Sequence, residues 1–147
     1  MKLLLDEIKD IDKVDYILIE NQISPIANRM KTIQGMLAQY FIMKIGNNVN
    51  IFFISSQNKL KLFKQNKVED VKKKKKDQNY SINKKDSIFY TIEILKNNIQ
   101  LMNWLPLLST KKKDDLSDCF LQCIWYLTFL NLIKININHT IENCNNS

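Results

Sequence analysis

The chain has 147 residues, 45% of them hydrophobic and 25% charged, with only two glycines and two prolines. That length suits one domain with a real core, and the shortage of turn residues excludes a turn-rich all-β fold in favour of helices. Lysine and arginine outnumber aspartate and glutamate by 22 to 15, a net charge of +7, which favours a polyanionic partner, either nucleic acid or an anionic membrane. Heavy use of Asn, Ile and Lys is also what an AT-rich coding bias produces, so charge alone does not decide between function and composition.

Residues 3 to 13 carry Leu3, Leu4, Leu5 and Ile8 among acids and lysines, the pattern of a short helix or of the last turns of a longer one. Asp6 and Glu7 arrive before an apolar segment can build, so no signal peptide is expected. Val14 to Glu20 is a short β-branched run and reads as a buried strand of a parallel sheet. Asn21 to Asn28, with Ser24-Pro25, reads as a loop ending at a helix N-terminus. From Asn28 to about Lys44, Met30, Ile33, Leu37 and Tyr40 form an amphipathic stripe that Met36, Phe41 and Met43 widen. Gly46-Asn47-Asn48 stops that helix, and Val49 to Ser55 reads as a second buried strand. Strand, helix and strand joined this closely predict a βαβ unit with parallel strands.

Lys59 to Lys85 is strongly basic, with an unbroken lysine run at Lys72 to Lys76, and a basic loop is expected over about 59–82. A helix resumes at about Asn83 to Asn97, with Ile88, Phe89, Ile92 and Leu95 on one face. Trp104 to Leu108 is an apolar connection, and a strongly apolar helix is predicted from about Asp114 to Ile133. Gln122 and Asn131 interrupt the apolar part and charges flank it, so it reads as a core helix rather than a membrane span. No membrane partner is expected. The Asn-rich tail, 134–147, is expected to be disordered, and its His139 to be a solvated side chain. Cys119, Cys123 and Cys144 are odd in number, and without a leader they read as reduced thiols of an intracellular protein.

Two features carry chemistry. Glu20 ends a buried strand where a loop begins, and open parallel sheets bind ligands beyond the carboxyl ends of their strands. A strand-ending acid can equally be a loop cap. Asp115 and Asp118 are three apart at the start of the apolar helix, so they share a helical face and repel unless a cation lies between them. Hard oxygen ligands of that kind suit Mg²⁺ or Mn²⁺. Acids in a first helical turn also complement the helix dipole, and Asp114 is a natural N-cap, so a purely structural role accounts for two of the acids. The lysines Lys111, Lys112 and Lys113, just ahead of these acids, and Lys84 and Lys85 are candidates for phosphate contact, as is the run Lys72 to Lys76. Tyr40, Phe41, Trp125 and Tyr126 fall on helices and read as core or dimer packing.

The stretch Ile19-Glu-Asn-Gln22, followed by the Met-Lys-bearing helix from Asn28 to Phe41, resembles the central signature of RuvC-like Holliday junction resolvases. It is most similar to the branch found in poxviruses, other large DNA viruses and fungal mitochondria. Lys111 to Asp118, running into an apolar helix, resembles the family's C-terminal motif, in which two acids three apart complete a metal site. Tyr80 to Leu95, with Lys84-Lys85, resembles the basic helix between them. The resemblance covers roughly residues 3 to 133. It implies an α/β, RNase H-like fold, a homodimer, and Mg²⁺-dependent cleavage of four-way DNA junctions. By position it makes Glu20, Asp115 and Asp118 catalytic metal ligands, with Asp114 a nearby substitute. It also implies a virus, and so a replication site in the host cytoplasm, or else the nucleus or mitochondrion.

The family opens with an aspartate-bearing strand and two further strands, and this sequence reaches Glu20 with none of them. An N-terminally truncated RNase H-like core of one domain over 1–133 is therefore expected, with a separately encoded N-terminal segment as a candidate partner. Such a core should expose an apolar sheet edge at Val14 to Glu20, with marginal stability or self-association. The alternatives are a catalytically inactive remnant that still binds branched DNA, and a small interaction protein whose acids only cap helices.

Overall fold

The computed structural model describes residues 5–21, 28–46, 49–64, 76–136 and 138–144. The fold is mixed α/β, and the chain divides into two compact units, one through Ser56 and one from Gln57. The single domain expected over 1–133 is thus subdivided at the second strand's exit.

In the first unit, a 3-10 turn at Ile11–Lys13 leads into β1 (Tyr16–Glu20), α1 (Asn28–Ile45) and β2 (Asn50–Ile54). β1 and β2 pair in parallel, with Tyr16 opposite Asn50 and Glu20 opposite Ile54, so the predicted βαβ unit is present. Gly46 closes α1 as the spacing predicts. Its φ is +85°, and its N–H donates to the Ile42 carbonyl at 3.0 Å. A glycine takes this left-handed position without the clash a side chain would bring. Ile33, Leu37, Tyr40 and Phe41 are half-buried along α1, while Met30, Met36 and Met43 stay exposed. Buried apolar side chains here are Ile11, Ile19 and Ile54. Phe53 is 50% exposed and Phe52 is exposed too, so β2 is not the buried strand its sequence suggests: only Ile54 is buried in it, because no described element of this unit fully covers the Phe52 and Phe53 side chains. Over Val14 to Glu20, where an apolar edge is expected, Val14 and Tyr16 are exposed while Ile19 is buried.

In the second unit, a 3-10 stretch (Ser56–Leu60) runs into the single turn α2 (Lys61–Lys64). Then come α3 (Lys76–Asn97), a 3-10 segment at Met102–Ser109 and α4 (Lys113–Phe129). An antiparallel hairpin, β3 (Ile133–Ile135) and β4 (Ile141–Asn143), completes it. Leu60, Ile94 and Leu121 form the buried centre, ringed by Phe63, Tyr90, Leu101, Phe120, Ile135 and Ile141. α3 meets α4 through small polar side chains. Ser87, Thr91 and Ser117 are fully buried, and each hydroxyl finds a backbone carbonyl: Ser87 that of Asn83, Thr91 that of Ser117, and Ser117 that of Lys113. Hydroxyls satisfied in this way let two helices pack closely without burying an unpaired donor.

Three expectations for the second unit also need correction. The basic loop over 59–82 is not continuous loop. Leu60 and Phe63 anchor its start in the core, α3 begins at Lys76, and only 65–75 lie outside the described residues. Four of the five lysines at 72–76 fall in that gap. The apolar helix ends at Phe129, not Ile133. Asn131 takes a left-handed φ of 55° and donates to the Thr128 carbonyl, while Leu132 donates to that of Leu127, both at 3.0 Å. Those two bonds make a Schellman closure, and Asn tolerates the left-handed position better than most residues. The tail, expected to be disordered, folds back as a hairpin over its described residues, 134–136 and 138–144. Asn98 holds it by donating to the His139 carbonyl (2.9 Å) and accepting from the Ile141 N–H (2.8 Å). Asn136 nucleates the hairpin turn by accepting from Asn138 and Thr140. Folding back brings the His139 ring 5.8 Å from Phe63 and 5.6 Å from Tyr90, so it is half-buried among aromatics rather than solvated.

Candidate functional site

Glu20 is half-buried at the carboxyl end of β1, where parallel β2 also ends. The next backbone amide, Asn21, donates to the Ile54 carbonyl at 2.7 Å, which extends the ladder one residue past the acid and fixes where the strand stops. Gln22, the last residue of the signature, lies outside the described residues.

The other acids lie on the first two turns of α4. Its N-cap is Lys112, so Asp114 is inside the helix and does not cap it as its type predicts. The helix starts one residue early because Lys113 already donates to the Thr110 carbonyl in the preceding turn. Asp114 and Asp118 are four apart and lie beside buried Ser117, whereas Asp115 points outward with 61% of its side chain exposed. Each acid has a lysine. Lys84 reaches Asp114 from α3 at 2.5 Å, Lys112 reaches Asp115 at 3.2 Å, and Lys59 is bonded to Asp118. The last pair is the most enclosed, with side chains 15% and 20% exposed. The second oxygen of Asp118, Oδ1, is buried and accepts no hydrogen bond.

Electrostatics follow from these contacts. The Lys84 ammonium bonded to Asp114 holds that carboxyl below the usual carboxylate range, against an opposing effect of partial desolvation. Because the shift is downward, the pair is intact at neutral pH, and its contribution is lost only as pH falls through the depressed value. Lys84→Gln should move the Asp114 titration upward toward an ordinary carboxylate, read by NMR of the side-chain carboxyl; an unmoved midpoint would mean the pair does not hold in solution.

Of the lysines expected to grip phosphate, Lys85, Lys111 and Lys113 are exposed. Lys84 and Lys112 are engaged with Asp114 and Asp115. The sequence reading missed Lys59, whose position is set by its neighbour Leu60 entering the core; an apolar residue inside a basic run was the available signal. Hard oxygen donors at the head of α4 suit a divalent ion in kind. Yet ammonium groups take the place of the cation at all three, and among the described residues no group of three or more acids, histidines or cysteines is gathered to hold a metal. The donor types fit Mg²⁺, but a ligand set is not assembled within α4.

The chain is 34% identical over 140 residues to an uncharacterized protein of Acanthamoeba polyphaga mimivirus, a match covering 89% of this chain and 33% of the relative. The chain therefore spans about a third of the length of the curated relative it matches. No family pattern matches it, and no solved structure does. Among the described residues no helix is long and apolar enough to cross a membrane.

Proposed function

We propose that the chain belongs to a RuvC-like, divalent-metal-dependent nuclease that cleaves branched DNA. One observation carries this reading: Glu20 ends the first strand of a parallel βαβ unit, at the edge where such sheets receive ligands, and the Met-Lys-bearing helix α1 follows it. The similarity to a viral protein supports the large-DNA-virus branch and, with it, a site of action at viral replication in the host cytoplasm. In this reading the fold is RNase H-like and the working form a homodimer. Glu20, Asp115 and Asp118 supply oxygen ligands to Mg²⁺ or Mn²⁺, and exposed Lys85, Lys111 and Lys113 contact phosphates. A bound divalent ion would polarise the scissile phosphate and generate the attacking hydroxide. The chain's own lysines position the backbone without reading sequence.

The test is cleavage of a labelled synthetic four-way junction with Mg²⁺ or Mn²⁺. Nicks near the branch point are expected. Glu20→Gln should lower their rate at least about 100-fold, since even outer-shell partners of a metal ligand are worth about 10- to 100-fold. An uncut junction with both metals overturns the nuclease reading for this chain.

Lysine pairing of Asp114 and Asp118 favours a second reading, a branched-DNA-binding module without catalysis. That module would bind junctions with an affinity that falls steeply with salt and ignores Mg²⁺ beyond its ionic strength.

A further inference from the structure

The middle of α4 carries a feature that the acids and lysines above do not use. Trp125 and Phe129 are four apart, so they share a helical face, and their rings stack at 5.6 Å with an interplanar angle of 18°. Phe129 is 66% exposed, although an apolar ring of that size gains by burial. The Lys61 ammonium sits 5.5 Å from the Trp125 ring centroid, in cation–π range. Lys61 follows Lys59 by two residues, and Lys59 holds Asp118, seven residues before Trp125 on the same helix. The segment 59–61 therefore runs along this face. It neutralises the acid that would repel a phosphate and leaves the Lys61 cation over the Trp125 ring, with the exposed Phe129 ring stacked on its neighbour.

We propose that Trp125, Phe129 and Lys61 form a stacking platform for single-stranded nucleic acid. Bases stack on flat aromatic faces whatever their sequence, while a flanking cation holds the backbone, and the two together are what single-strand binders use. Charge complementarity favours this occupant over another protein. The chain carries a net charge of +7, and the platform is continuous in sequence with its most lysine-rich stretch, 59–85. Unpaired bases are also the form of nucleic acid that offers a free π face, which a closed duplex hides. This assignment stands apart from cleavage and does not depend on a metal.

The chain has two tryptophans, Trp104 and Trp125, so the full chain with Trp104→Phe leaves Trp125 as the single indole reporter. Its emission is followed during titration with a dT oligonucleotide, with heparin as a polyanion that cannot stack. Quenching by the oligonucleotide and not by heparin is expected. Phe129→Ala and Lys61→Met, both at exposed positions, should each weaken that binding by roughly 5- to 100-fold while leaving the far-ultraviolet circular dichroism unchanged. Three results would overturn the proposal: unchanged emission at saturating oligonucleotide, equal quenching by heparin, or full affinity in both variants. Quenching that grows with protein concentration alone would assign the face to self-association instead.

Discussion

Lys59→Met is expected to destabilise the second unit by about 2–4 kcal/mol, because removing one partner of an enclosed ion pair strands the other charge. Asp118 is 20% exposed on its side chain, so water relieves part of the penalty and the lower half of that range is the expectation. Its Oδ1 already lacks a donor, and Lys59→Met would remove the ammonium from Oδ2 as well. Urea denaturation gives the loss as a shift in midpoint at constant slope. Two further measurements separate what Asp118 is for. If its role is purely structural, Lys59→Met combined with Asp118→Leu should recover most of the stability, because apolar replacement of a whole buried pair is often neutral. If Asp118 is a metal ligand, millimolar Mg²⁺ should raise the stability of the single variant more than that of the unmodified chain, since an ion that binds only the folded state stabilises it by mass action. Under the nuclease reading the Mg²⁺ gain is the expected result. Its absence, with full recovery in the double variant, would leave Asp118 as the lysine's structural partner.

The same pair shows where sequence reading succeeds and where it stops. The βαβ unit was legible because each of its signals is local: a β-branched run at Val14 to Glu20, a stripe at Met30, Ile33, Leu37 and Tyr40, and a glycine at the position where α1 closes. Helical spacing also placed the acids at the head of α4, but it paired Asp118 with Asp115, which points outward, rather than with Asp114 four residues before it. What spacing cannot reveal is a partner distant in the chain. Lys59 is fifty-nine residues from Asp118 and Lys84 thirty from Asp114, so both pairings depend on tertiary packing of α4 against α3 and the 56–60 stretch. The tail misled for a related reason. Its Asn-rich composition resembles disorder, yet Asn136 within it turns the chain and Asn98, just past α3, holds the returning strand by hydrogen bonds. A left-handed Asn131 ended α4 four residues before the predicted end, because apolar character continued past the point where the backbone turned.

Leu121→Ala should cost about 3–4 kcal/mol, a comparable or larger loss. Leu121 is fully buried and sits with Leu60 and Ile94 at the centre of the second unit. Truncation there removes the transfer energy of three carbons and leaves a cavity that the surrounding side chains fill only in part. Phe63, Tyr90 and Phe120 ring the site, and rigid aromatic walls relax less than aliphatic ones would. Phe53→Ala in the first unit gives the contrast: that ring is half exposed, so its loss should be well under half as large. Urea midpoints of the two variants test the difference directly, and a loss below about 1 kcal/mol for Leu121→Ala would move the core elsewhere. The consequence for function runs through one helical turn. Leu121 follows Ser117 and Asp118 on α4, and its packing against α3 fixes the depth at which Lys59 and Lys84 meet their acids. A cavity at Leu121 should therefore loosen both ion pairs, and the Asp114 titration should rise in Leu121→Ala as it does in Lys84→Gln, though by less. An Asp114 titration unmoved by the cavity would mean that the head of α4 is held by its lysines alone, independently of the core beneath it.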